Sequence, residues 1–118
     1  MLKPFIVIVE DDPKLNQIFL IALNKDFDVE SFLDGETALK RMGKVVPNLI
    51  VLDLNLPGIS GKDVLHAVRA DGRLASARVI ITSADERMAE SLANEVDMVL
   101  LKPISPTQLR DFAIRLCN

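Results

Sequence analysis

Four places in this chain carry side chains that could do chemistry together. In "VIVEDDPKL" an apolar run ends at Val9 and is followed at once by Glu10, Asp11 and Asp12. Asp53 falls at the end of a second run, "NLIVLDL" (Asn48–Leu54). Thr82 and Ser83 end a third, which opens with "RVIIT" (Arg78–Thr82), and Lys102 follows a fourth, "DMVLL" (Asp97–Leu101). Short apolar runs bounded by polar residues read as buried strands. Each polar residue alone has an ordinary explanation. Acids after a strand commonly cap helices, and Asp12, directly before Pro13, suits that role. Ser83 or Asp85 could cap in the same way, Asp53 could serve a turn, and Lys102 could be solvated. Capping does not explain acids, hydroxyls and a lysine at successive strand ends.

The chemistry follows from electrostatics. Two like charges about 4 Å apart repel by on the order of 4 kcal/mol at an effective dielectric of ~20. If the strand ends meet, Glu10, Asp11 and Asp53 concentrate negative charge that a hard divalent cation would relieve. Mg²⁺ suits a site offering one or two carboxylates, a carbonyl and waters, and Mn²⁺ could substitute. The three carboxylates, one Mg²⁺ and Lys102 sum to about zero charge. Such a site can neutralise an incoming phosphoryl group, and a carboxylate within it can act as the nucleophile for phosphoryl transfer.

The elements that must position these residues alternate along the chain. Besides the runs above, "FIVIV" (Phe5–Val9) reads as a strand, and "FDVESF" (Phe27–Phe32) alternates like a strand nearer an edge. Between them lie helical stripes: Leu15, Ile18, Phe19 and Ala22; Ala38, Leu39 and Met42; Val64, Leu65 and Val68; Met88, Ala89, Leu92, Ala93 and Val96; Leu109, Phe112, Ala113 and Leu116. Ser105, Pro106 and Gln108 spell the opening of the last helix. Five strands alternating with five helices predict an α/β, doubly wound parallel sheet with helices on both faces. Ligands of such sheets bind at the carboxyl ends of strands, near the switch in strand order. Those are the ends that carry the reactive side chains.

Bulk properties narrow the class. The chain has 118 residues, 49% of them hydrophobic, which fits one domain with a real core. A net charge of −3 and no Lys/Arg run argue against direct binding of nucleic acid. No apolar run is long enough to span a membrane, and the N-terminal one is too short for a signal peptide. One cysteine, Cys117, cannot form an internal disulfide, so a reducing cytoplasm is the expected setting. His66 and Cys117 are assigned no role.

The joint pattern resembles the receiver domain of two-component response regulators over essentially the whole chain, so that residues 1–118 would form one such domain. The matching residues are "VEDD", "DLNLPGISG", "TSA" and "KP". The resemblance implies a flavodoxin-like (CheY-like) fold of strand order 2-1-3-4-5. It implies Asp53 as phosphoacceptor, Asp11 and Asp53 as direct Mg²⁺ ligands with the main-chain carbonyl of Asn55, and Glu10 acting through water. Ser83 would hydrogen-bond a phosphoryl oxygen; Thr82 is the rival, but Ala84 favours Ser83. Lys102 would pair with the phosphoryl group, and the Lys102–Pro103 bond would be cis. The implied donor is a histidine kinase or histidine phosphotransfer domain. The implied output surface is the fourth helix, fifth strand and fifth helix, available for homodimerisation. No separate substrate turnover is expected.

The chain departs from the family near that surface. "EVDMVLL" (Glu95–Leu101) lacks the usual glycine, and Val99 stands where a switching Tyr or Phe is common. The segment from Ser83 to Lys102 is shorter than usual, so the fourth helix should be short. Other readings fit less well. A dehalogenase-type phosphatase would place its nucleophile on an early strand, with a second Asp where Asn55 stands. A flavodoxin-like flavin binder needs a phosphate loop where Glu10–Asp12 would repel it. "GISGKD" (Gly58–Asp63) has the wrong spacing for a P-loop and reads as a loop entering the third helix. A receiver-like interaction module that is never phosphorylated is the remaining alternative.

Overall fold

The computed structural model describes residues 2–117. The elements run β1 (Phe5–Val9), α1 (Pro13–Asn24), β2 (Asp28–Phe32), α2 (Gly35–Met42), β3 (Leu49–Asp53), α3 (Gly61–Ala70), β4 (Arg78–Ser83), α4 (Glu86–Ser91), β5 (Met98–Leu101) and α5 (Pro106–Cys117). A 3₁₀ turn, Ala93–Glu95, links α4 to β5. The strands form one parallel five-stranded sheet of order β2-β1-β3-β4-β5. The chain steps from β1 outward to β2, then crosses back to β3, so the switch point lies between β1 and β3.

The inner strands are apolar along their whole length because helices cover both faces. Alternate residues serve opposite layers. Val7, Val9, Ile50, Leu52, Val79 and Ile81 pack toward α2, α3 and α4, with Ala38, Met42, Val64, Leu65 and Val68 against them. Ile6, Ile8, Leu49, Val51 and Ile80 pack toward α1 and α5, meeting Phe19, Leu23, Leu109 and Ala113.

Helix starts are set by side-chain caps. Asp12 accepts from the Lys14 amide at 3.0 Å with Pro13 in the first turn. Asp34 caps α2, and Ser60 with Asp63 forms a capping box on α3. Of the two candidates for α4, Asp85 is the cap, accepting from the Met88 amide at 3.1 Å.

Three apolar expectations change. Strand β5 is half-exposed instead of buried, because it is the sheet's edge and only α4 and α5 flank it. In α1, Ile18 is 44% exposed and the buried stripe runs through Asn16, Phe19 and Leu23. The fourth stripe does not continue as one helix: α4 stops after six residues, as the shortened segment implies, and Ala93 is exposed in the 3₁₀ turn.

Candidate functional site

The acidic loop is held by an amide in the middle of an apolar stripe. After Val9 the chain stays in the sheet for one more bond, Glu10 N–H donating to Phe32 O at 3.1 Å. It then turns into α1, which leaves the Glu10 carbonyl without a ladder partner. The Asn16 side chain fills that gap: its Nδ2 donates to Glu10 O and Phe32 O, both at 3.0 Å. Glu10 Oε2 in turn accepts from the Asp12 amide at 3.1 Å. Glu10 is therefore buried while Asp11, one residue on, faces solvent.

Asp53 is the last residue of β3, only 2% exposed. Its Oδ1 accepts from the Asn55 amide at 3.1 Å, and its Oδ2 lies 3.2 Å from Lys102 Nζ. The loop beyond it is pinned on both sides, Leu54 N donating to Thr82 O and Gly61 N to Leu54 O, each at 3.1 Å. Lys102 is fixed by its own amide, which donates to Ser83 O at 2.8 Å, and the Lys102–Pro103 peptide is cis. Its ammonium lies 2.8 Å from Glu10 Oε1 as well, so one lysine bridges two buried carboxyls.

Four strand ends drawn from distant parts of the chain thus meet at one edge. Oxygens of Glu10, Asp11 and Asp53 lie within 4.8 Å of one another. The Glu10 carboxyl is raised to about 7: burial pushes it up most, Lys102 and the Asp12 amide pull it down in part, and Asp53 adds to the rise. For Lys102, burial works against the charge, but its close ion pair with Glu10 and the charge of Asp53 prevail and hold its pKa above the ordinary lysine value. The donor set is all oxygen, which suits a hard cation. Glu10 Oε1 also fits such a ligand: it is buried, and its contact with Lys102 lacks hydrogen-bond alignment.

Ser83 and Thr82 are both buried, at 4% and 0% exposure. The Ser83 hydroxyl accepts from the Asp85 amide at 2.9 Å and donates to Asp85 O at 3.1 Å, so it is tied to the start of α4. A cleft of about 500 Å³ opens between Leu54–Leu56 and Ser83–Asp85, with Lys62 and Met88 in its lining. Asn55 is exposed in this loop. The residue that sequence reasoning missed is Asn16; the available signal was an amide placed among the apolar positions of α1. His66 is exposed and lies 3.4 Å from Glu95, away from the site.

A parallel sheet of this order, with Asp53 set between an acid pair and a lysine at the switch point, defines the receiver class of two-component signalling domains. The model of the response regulator receiver domain family matches residues 6–114, and the chain belongs to that family. It is 35% identical over 111 residues to the sensor histidine kinase TmoS of Ectopseudomonas mendocina, covering 92% of this chain and 11% of that protein. It is 32% identical over 105 residues to the DNA-binding response regulator MtrA of Mycolicibacterium smegmatis, covering 88% and 46%. A solved sensor protein from Polaromonas sp. JS666 superposes with a TM-score of 0.86 at 29% identity, covering 97% of this chain and 95% of that one. The chain thus spans less than half the length of these two curated relatives.

Proposed function

We propose that Asp53 is a phosphoacceptor, charged by the phosphohistidine of a histidine kinase or histidine phosphotransfer domain. The observation that carries this is the Asp53 carboxylate itself, buried yet held at the sheet's functional edge by Lys102 on one oxygen and the Asn55 amide on the other. In the transfer, one Asp53 oxygen forms a bond to phosphorus as the donor's P–N bond breaks. The electron pair leaves with the imidazole nitrogen. Kinship with a sensor histidine kinase and a DNA-binding response regulator supports a donor of that kind.

The other residues divide the work. Lys102 neutralises the transferred group and follows it, releasing Asp53 Oδ2. The Ser83 hydroxyl leaves Asp85 to hydrogen-bond a phosphoryl oxygen. Asp11, Asp53 and the Asn55 carbonyl would hold Mg²⁺ or Mn²⁺ directly, with Glu10 acting through water. The ion would supply charge neutralisation on the phosphoryl oxygens. Phosphorylation takes Asp53 from −1 to about −2. That change is expected to reorder the Ser83–Asp85 turn and with it the face of α4, β5 and α5. Met88 and Leu101, each 45% exposed, give that face an apolar character suited to homodimerisation. The domain signals in the cytoplasm and turns over no separate substrate. No helix among the described residues is long and apolar enough to cross a membrane.

Incubation with acetyl phosphate and Mg²⁺ should shift the protein on a phosphate-retarding gel. The shift should be erased by hydroxylamine and absent in Asp53→Asn. Equal labelling of Asp53→Asn would refute the assignment.

A further inference from the structure

Among the described residues, two buried side-chain polar atoms lack a hydrogen-bond partner, Glu10 Oε1 and Thr82 Oγ1. Both flank Asp53. Thr82 is the cross-strand partner of Asp53 in the β3–β4 ladder, and Glu10 follows Val9, the partner of Leu52. Paired residues of neighbouring strands send their side chains to the same face. That face is set by the residues two positions earlier, Val51 and Ile80, which belong to the layer under α1 and α5. Ser83 has the parity of Ile81 and belongs to the other layer, toward α4. The two adjacent hydroxyls therefore approach the acceptor from opposite sides, and only Ser83 has a partner in the unphosphorylated protein.

Most buried hydroxyls are satisfied, so an orphan beside the reacting carboxyl calls for a state in which it is used. The lysine supplies that state. In the free protein both Asp53 oxygens are occupied, Oδ1 by the Asn55 amide and Oδ2 by Lys102. When the lysine moves with the phosphoryl group, Oδ2 loses its donor. In hydrolysis, water attacks phosphorus, the P–Oδ bond breaks, and the electron pair returns to the Asp53 carboxyl. Negative charge then grows on a carboxyl whose second oxygen, even with a bound ion beside it, has lost its hydrogen-bond donor.

We propose that Thr82 is a positioning residue that sets the lifetime of the phosphorylated state, its buried hydroxyl donating to Asp53 Oδ2 as charge returns to the carboxyl. A hydrogen bond to a carboxylate is stronger than one to a neutral acyl oxygen. The contact is thus made chiefly in the transition state, where it accelerates transfer in both directions. The inference rests on the phosphoacceptor reading of Asp53 and gives it a rate-setting residue distinct from Ser83.

The test compares wild type, Thr82→Val and Thr82→Ser, phosphorylated with acetyl phosphate, freed of donor and followed in Mg²⁺ on phosphate-retarding gels. Thr82→Val keeps the shape and removes the hydroxyl. Its phosphoryl half-life should lengthen about tenfold, the equivalent of about 1.4 kcal/mol, and its phosphorylation should slow in parallel. Thr82→Ser should stay within about twofold of wild type. Urea unfolding of the unphosphorylated proteins should show Thr82→Val at least as stable as wild type, since it removes an orphaned hydroxyl. A half-life unchanged in Thr82→Val, a Thr82→Ser as slow as Thr82→Val, or a Thr82→Val that unfolds more readily would each overturn the proposal while leaving Asp53 as acceptor. Failure of wild type to carry a phosphoryl group at Asp53 would overturn both.

Discussion

Replacing Gly61 with alanine should damage the site from behind. Gly61 opens α3 and lies against the end of β3. A Cβ built there would sit 2.2 Å from Asp53 O, 2.6 Å from Leu54 Cα and 2.9 Å from Asp53 C. Ordinary contact begins near 3.4 Å, so the tip of β3 or the start of α3 must retreat by about 1.2 Å. Every atom met is backbone, and no rotamer can relieve the clash. Overpacking of this kind costs about 1–3 kcal/mol. The Gly61 N–H···O=C Leu54 bond, now 3.1 Å, is stretched as well, adding about 0.5–1.5 kcal/mol. The expected loss is therefore about 2–4 kcal/mol in urea unfolding. If Asp53 is the phosphoacceptor, a displacement of that size there also predicts up to ~100-fold slower phosphorylation by acetyl phosphate. Gly72 is the control, because an added Cβ there meets nothing within 4 Å. Gly72→Ala should be neutral or stabilising by about 0.4–1 kcal/mol. A Gly61→Ala protein within about 0.5 kcal/mol of wild type, phosphorylated at the normal rate, would refute the close-approach argument.

Three further outcomes follow from the same geometry. Asp11→Ala should remove most Mg²⁺ affinity by titration calorimetry, whereas Asp12→Ala, which loses only the cap on α1, should cost ~1 kcal/mol of stability and little affinity; equal losses of affinity would contradict the division between them. Glu10 holds its proton up to about 7 in the folded, metal-free protein but loses it near 4.5 when unfolded. Stability in chelator should therefore fall as pH rises between those values, by on the order of 3 kcal/mol, and level off above. Glu10→Gln should lack that component, and superimposable pH profiles would defeat it. Beryllofluoride should shift the amide resonances of Ser83–Met88 strongly while Val99, β-branched and packed against the α2–α4 layer, keeps its rotamer; a rotamer change at Val99 with a static Ser83 turn would reverse this view of the output.

The strand ends were legible because chemistry and topology agree there. Buried parallel strands must be apolar, so Glu10, Asp53 and Ser83 stand out at their tips, and the doubly wound order brings those tips together. The misreadings share one cause: periodicity reports apolar spacing but not which face a neighbour covers. Ile18 fits the stripe of α1, yet the sheet covers the side carrying Asn16, whose amide is needed by two backbone carbonyls. Strand β5 is as apolar as the inner strands, but its outer side has no neighbouring strand. The fourth stripe runs on through Val96, while the chain leaves the helix after Ser91 to reach the edge of the sheet. The link between Glu10 and Lys102 spans most of the sequence and has no local signature; only the folded chain reveals that the lysine serves two carboxyls.

The most direct test of Asp53 as acceptor is to trap the acyl phosphate chemically. Borohydride reduces a phosphorylated aspartate to homoserine, and peptide mapping then locates the modified position. Wild type treated with acetyl phosphate and Mg²⁺ should yield homoserine at position 53, and treatment without a phosphodonor should yield none. Homoserine at position 11 or 12, or at none of the three, would contradict the account.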